Sequence, residues 1–156
     1  MDALMSKNYS FYAVPIAWAM SLAPHSYAIS LYARKSTKKF DNREPRSMTS
    51  KLADDQSIDK ATKDRIIRAE SAQANGFENL GFFAAAVVAG NMAGLSNQTM
   101  NLLSGSYLAT RLLYNFIYIN NTTGALAATR SLTFFTGVGF IWTMFIMAGN
   151  AINKSR

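Results

Sequence analysis

A chain of 156 residues, 49% hydrophobic and without cysteine, has the length of one domain and excludes disulfides, thiolate metal sites and a protein thiol nucleophile. One histidine, His25, excludes zinc-type histidine clusters, so no metal is expected. The formal charge of +7 does not read as a nucleic-acid surface: most charged residues lie between Arg34 and Glu78, without interleaved aromatics, and the remainder carries the long apolar segments of a multi-pass membrane protein.

In chain order, a short polar lead (residues 1–10) precedes a first expected span over 11–33. Pro15 and Pro24 should bend it, which membrane helices tolerate when neighbours satisfy the freed carbonyls. The stretch A-M-S-L-A resembles a signal cleavage site, but the apolar run continues past it and Lys7 is the only charge of an n-region. The loop over 34–57 carries Arg34, Lys35, Lys38, Lys39, Arg43, Arg46 and Lys51 against Asp41 and Glu44, which the positive-inside rule places in the cytosol. A helix should restart near Ser57 or Asp59, both good N-cap types, and run unbroken to about Gly90. Its second span is expected over 76–95.

Gly90 and Gly94 form a small-xxx-small pair that either admits a neighbouring helix or marks the helix end. A turn follows, then a third span over 100–119, a polar turn over 120–124, and a last span over 132–152 preceded by Arg130 and Ser131. Residues 153–156 form a polar cap. Four spans put both termini on the non-cytosolic, lumenal side. Sequons begin at Asn8, Asn97, Asn120, Asn121 and Asn153, all hugging the membrane, and glycosylation of most is not expected. The fold class is an all-α, integral-membrane four-helix bundle.

Polar residues recur on specific helix faces. At about 100° per residue, Arg68, Ser71, Asn75, Glu78, Asn79 and Phe82 share one face of the second long helix, opposite mostly small residues. A carboxylate such as Glu78 costs about 2.5 to 3.5 kcal/mol at a bilayer centre and needs a partner or a ligand. On the third helix Tyr107, Arg111, Tyr114 and Tyr118 make a second stripe that should not face lipid. Arg130 and Ser131 open the fourth, and Arg34 ends the first at the same side. These groups converge on a pocket suited to a guest that is anionic and polar at one end and greasy at the other. Against this stand blander readings: Glu78 pairs with Arg111 inside the bundle, Tyr107 and Tyr114 are packing or interface anchors, and Arg34 and Arg130 snorkel.

The segment A-Q-A-N-G-F-E-N from Ala72, following Arg68, resembles the second-helix signature of the MAPEG family, the membrane-associated proteins of eicosanoid and glutathione metabolism. Y-L-A-T-R-L-L-Y-N-F-I-Y from Tyr107 resembles its third helix, and T-R-S-L around Arg130 the start of its fourth. The F-D-N-R-E-P-R loop and the segment from Arg68 look most like fungal members. The resemblance covers nearly the whole chain. It implies a homotrimer, with glutathione as co-substrate between neighbouring subunits near the cytosolic face; the endoplasmic reticulum is the expected host membrane. Asn75 and Glu78 would hold the peptide's polar groups, Glu78 its ammonium. Tyr114 and Tyr118 would line the site with Arg68 and Arg111, and Arg34 would reach a carboxylate from the adjacent subunit. Arg130 and Ser131 would stabilise the glutathione thiolate for attack on a lipophilic electrophile, with lipid hydroperoxide reduction as a further activity.

The chain departs from the pattern at Ser71, where several members have an arginine or another donor, and at Phe134, where some have a tyrosine. Pro45 aligns with an acidic residue of the prostaglandin synthase branch, and the turn between Tyr118 and Arg130 is longer than in that branch, which argues against prostaglandin isomerisation. The alternative to a microsomal glutathione transferase-like enzyme is a non-catalytic lipid-binding or scaffold membrane protein of the same fold. A third option is a structural bundle whose charges merely pair.

Overall fold

The computed structural model describes residues 6–154, without the side chain of Arg46. The first five residues of the polar lead and the last two of the C-terminal cap fall outside the described residues. Within them the regular structure is helical: α1 (Ser10–Lys35), a 3-10 turn (Pro45–Ser47), α2 (Met48–Leu52), α3 (Lys60–Met92), α4 (Asn97–Asn120) and α5 (Gly124–Lys154). Helix α1 packs along α3 and α4, α5 packs along α3 and α4, and α3 touches all three of its long neighbours.

Local chemistry sets the helix ends. Asp59 caps α3, its carboxylate accepting the Thr62 amide at 2.9 Å and the Thr62 hydroxyl at 2.7 Å. The far end of α3 closes in a Schellman arrangement, with the Gly94 amide donating to Asn91 O at 3.1 Å and the Leu95 amide to Gly90 O at 3.1 Å. Gly94 takes φ +73° there, a left-handed conformation that favours glycine. The two readings of the glycine pair therefore divide: Gly94 ends the helix, while Gly90 admits Met100 of α4, whose sulfur would stand 2.5 Å from a Cβ at that position. Ser96 caps α4 through the Thr99 amide.

Helix α5 starts eight residues before the expected span. The Thr123 hydroxyl accepts the Leu126 amide at 3.3 Å, and the alanine-rich turn that follows favours helix. Arg130 and Ser131 consequently sit inside α5 rather than ahead of it.

Helix α1 continues through both prolines. Pro24 has no N–H for the carbonyl four residues back. Asn115 of α4 replaces that donor, its Nδ2 reaching Met20 O at 3.0 Å.

The interior forms two clusters. One joins α1, α3, α4 and α5 around Phe83, which is fully buried and stacked on Tyr107 at 4.0 Å between ring centroids. The other seats the connecting segment: Met48, Leu52 and Ile58 pack on Ala28, Tyr32, Ile66 and Ala69. The inward face of α3 is small, and a Cβ on Gly76 would stand 2.7 Å from Ser21 Oγ, so α1 and α3 approach closely.

Asp55 pins this segment beneath α1. It accepts the Ser36 hydroxyl at 2.5 Å, the Ser57 hydroxyl at 2.6 Å and the Ser57 amide at 3.0 Å. These donors, Ser36 first, hold its carboxyl down at about 2.

Among the described residues α5 is the one helix long and apolar enough by itself to cross a membrane, with mean hydropathy 1.6 over its best window. Only 28% of that window is buried. Leu132, Phe135, Trp142 and Ile146 form an exposed apolar stripe along it.

Candidate functional site

At the end of the bundle that carries the connecting segment and the α4–α5 turn, α3, α4 and α5 enclose a groove of about 240 Å³. Asn75, Tyr114, Tyr118, Arg130, Ser131, Phe134 and Phe135 line it. Five of the nine residues singled out from sequence thus share one wall system.

Its geometry is built from helical spacing. Tyr114 and Tyr118, one turn apart on α4, meet edge to face at 5.5 Å. The Arg130 guanidinium, on the second turn of α5, lies 4.6 Å from the centre of the Tyr118 ring. Its cation is steadied by a ring face rather than by a carboxylate. Ser131 is exposed beside it, its hydroxyl donating to Ala127 O at 3.2 Å.

Arg111 stands behind this wall, buried, with its guanidinium 4.5 Å over the Tyr114 ring. Its Nη1 donates to Asn75 Oδ1 at 2.9 Å. That bond fixes the Asn75 carboxamide so that the NH2 group is the part left for the groove. Arg111 Nη2 is buried and has no hydrogen-bond partner among the described residues. The expected Glu78–Arg111 ion pair does not form. The carboxamide of Asn75, three residues earlier on α3, takes its place, and Glu78 is exposed with no ion pair among the described residues.

The remaining candidates stand apart. Arg68 Nε donates to Ile119 O at 3.0 Å and ties α3 to the end of α4. Arg34 is exposed and makes no hydrogen bond or ion pair among the described residues. Ser71 donates to Ile67 O at 2.9 Å on its own helix. Tyr107 belongs to the core through Phe83, while Phe134 lines the groove and meets Tyr114 at 5.9 Å.

One arrangement escapes the sequence reading. His25 Nδ1 lies 2.8 Å from Glu70 Oε1, and both line a larger groove of about 560 Å³ with Pro45, Gln73, Ala74 and Phe77. The positions 70, 73, 74 and 77 carry the spacing of one helix face, which is the signal in the sequence that points to it.

Neither a curated protein nor a solved structure matches the chain significantly. The model of the MAPEG family matches residues 11–150, which takes in the groove and all but the outermost residues of the four long helices. On that match the chain belongs to the MAPEG family, whose members are membrane-associated proteins that include glutathione transferases and related enzymes as well as non-catalytic proteins.

Proposed function

We propose that the chain is a microsomal glutathione transferase-like enzyme that activates the glutathione thiolate for attack on lipophilic electrophiles. The observation that carries this reading is the groove in which Arg130 and Ser131 share a wall with Asn75, Tyr114 and Tyr118. Glutathione enters as a co-substrate. A free thiol titrates near 8.5 and is mostly protonated at neutral pH. A guanidinium held close in a dry pocket lowers that value by a unit or more, about 1.4 kcal/mol per unit. The thiol proton goes to water, the sulfur lone pair forms a bond to the electrophilic carbon, and the displaced electron pair leaves with the leaving group or moves onto the conjugated carbon skeleton. Ser131 turns from the Ala127 carbonyl to donate to the same sulfur. Lipid hydroperoxide reduction is a further activity of the same thiolate.

The groove supports a shared site. Its volume lies below the roughly 300 Å³ at which small-molecule pockets begin, and exposed Phe135 flanks it. In a homotrimer a neighbouring copy completes it: Glu78 takes the glutathione ammonium, and Arg34 of an adjacent subunit a carboxylate. Arg68 holds the α4 end in place, and Arg111 positions Asn75. Orientation follows the charge of the 34–57 loop, with the groove cytosolic, both termini lumenal and the endoplasmic reticulum as host membrane.

The test follows the thiolate ultraviolet absorbance of glutathione bound to the detergent-purified protein across pH, with Arg130→Ala alongside. A lowered thiol pKa that returns to its free value in the variant supports the enzyme. Saturable binding without ionisation identifies the non-catalytic, lipid-binding or scaffold alternative. That alternative draws on Ser71, whose hydroxyl is committed to Ile67 O, and on the phenyl ring of Phe134 in the groove wall.

A further inference from the structure

Where α1 ends, Arg34, Lys35, Lys38 and Lys39 put four cations and no carboxylate into six residues. Arg34 and Lys35 lie in the last helical turn, where the helix dipole favours positive charge. That favour fades beyond one turn and does not account for Lys38 and Lys39. Lys35, Lys38 and Lys39 are exposed, and among the described residues their ammonium groups make no ion pair and no hydrogen bond. The neighbouring carboxylates are mostly taken. Asp41 holds Arg43 at 3.0 Å, Glu44 holds Lys51 at 3.0 Å and Asp59 caps α3. Asp55 is committed to Ser36 and Ser57, and Lys38 feels its field without forming an ion pair. Asp54 is exposed and pairs with none of them.

The run is held in place rather than trailing from the helix. Ser36 is bonded to Asp55 through its hydroxyl and donates its amide to Tyr32 O at 2.8 Å. The Thr37 amide donates to Ser57 Oγ at 3.1 Å, and the Lys38 amide to Ser36 Oγ at 2.9 Å. A backbone already fixed lowers the ordering cost of gathering several ammonium groups around one anion. Depth selects the anion. From Ser10 to Lys35, α1 rises about 38 Å, whereas the hydrocarbon layer is about 30 Å thick and the whole bilayer about 40–45 Å. If α1 crosses with Ser10 at one hydrocarbon boundary, Lys35 stands about 8 Å beyond the other, among the lipid headgroups. A nucleic acid is poorly served there, because single strands bind by stacking bases on aromatic rings, and the nearest ring, Phe40, is packed against the second core cluster.

We propose that Lys35, Lys38 and Lys39 form a binding surface for the headgroup of an anionic phospholipid at this end of α1. Each ammonium acts on the headgroup as a point charge. Positive residues at such a place also orient a chain during insertion, but that role alone gives the finished protein no preference among lipids. The experiment places the purified full-length protein in phosphatidylcholine nanodiscs with a trace of spin-labelled phosphatidylserine or of spin-labelled phosphatidylcholine with the same acyl chains. The motionally restricted fraction of each label is read by electron paramagnetic resonance. The serine lipid should be retained at least about fivefold more strongly, the worth of one lysine near an anionic surface, and high salt should weaken that preference. In the triple variant Lys35→Gln/Lys38→Gln/Lys39→Gln it should fall below about twofold with the denaturation midpoint unchanged, while Lys35→Arg/Lys38→Arg/Lys39→Arg keeps it. Arg34, assigned above to the glutathione site, stays unaltered in both. Equal retention of the two lipids by the unaltered protein overturns the proposal and leaves these cations to topology or to a soluble anion. An undiminished preference in the folded glutamine variant overturns it as well.

Discussion

The α3–α4 turn and the residues around the groove handle their polar groups in opposite ways. At the end holding the α3–α4 turn, carboxamides stitch the chain together. Asn91 donates to Ser10 Oγ at 2.9 Å and Val87 O at 2.7 Å and accepts from Asn8. Asn97 donates to Ser6 O at 2.8 Å, and Asn101 to Lys7 O at 2.8 Å. Ser10 is fully buried yet bonded. At the groove end, by contrast, Glu78 and Arg34 make no ion pair among the described residues, Arg130 rests on a ring, and one nitrogen of Arg111 has no partner. Groups that serve only the fold are paired within the chain. Unmet hydrogen-bonding capacity of this kind is what the proposed glutathione site would use.

The contrast can be broken at either end, and the effects should rank. Phe83→Ala removes a fully buried ring stacked on Tyr107 and should cost about 3–5 kcal/mol, read as a lower denaturation midpoint in detergent, with glutathione binding per folded molecule unchanged. Arg130→Ala should lower conjugation turnover by at least about 100-fold, the scale of losing one preorganised charge donor, while leaving that midpoint within about 1 kcal/mol of the parent. Equal losses of stability in the two variants would erase the distinction between the ends. Asn91→Leu removes the acceptor of the Asn8 carboxamide nitrogen and one donor to Ser10 Oγ, leaving the Ser10–Asn8 bond in place, and should cost about 1–3 kcal/mol, again without changing turnover per folded molecule.

The smallest effect concerns Asp55. Its carboxyl is held at about 2 in the fold against an ordinary value near 3.8. The folded form therefore binds the proton less readily than the unfolded one. The stabilisation is complete above about pH 4 and is lost as pH falls toward 2. Hydrogen exchange at the Thr37 and Ser57 amides should rise across that window, after correction for intrinsic rates. Asp55→Ala should remove the rise by making both amides labile at every pH.

Much of this was legible in the sequence because helical spacing is strict. Of the stripe of Tyr107, Arg111, Tyr114 and Tyr118, the first three are buried and Tyr118 is half-buried, and the restart of α3 falls at Asp59, where cap chemistry predicts it. What stayed hidden depends on distances between helices. Nothing in the spacing of Glu78, Asn75 and Arg111 decides which side chain on one face reaches the guanidinium first, and the structure gives it to Asn75. The forward extension of α5 to Gly124 was masked by a polar stretch that reads as a turn, although its alanines favour helix. His25 and Glu70 are 45 positions apart, so only the packing of α1 on α3 makes them neighbours.

The length of α3 has a consequence for solubility. Its 33 residues span about 50 Å at 1.5 Å per residue, while a hydrocarbon layer is about 30 Å thick. With the helix end at Met92 lying at one face of such a layer, Asn75 would stand about 26 Å away along the helix, close to the opposite boundary. Under the function proposed above, a water-soluble thiol and a membrane-dissolved electrophile would meet near Asn75, each still in its own phase, with neither having to cross the interface.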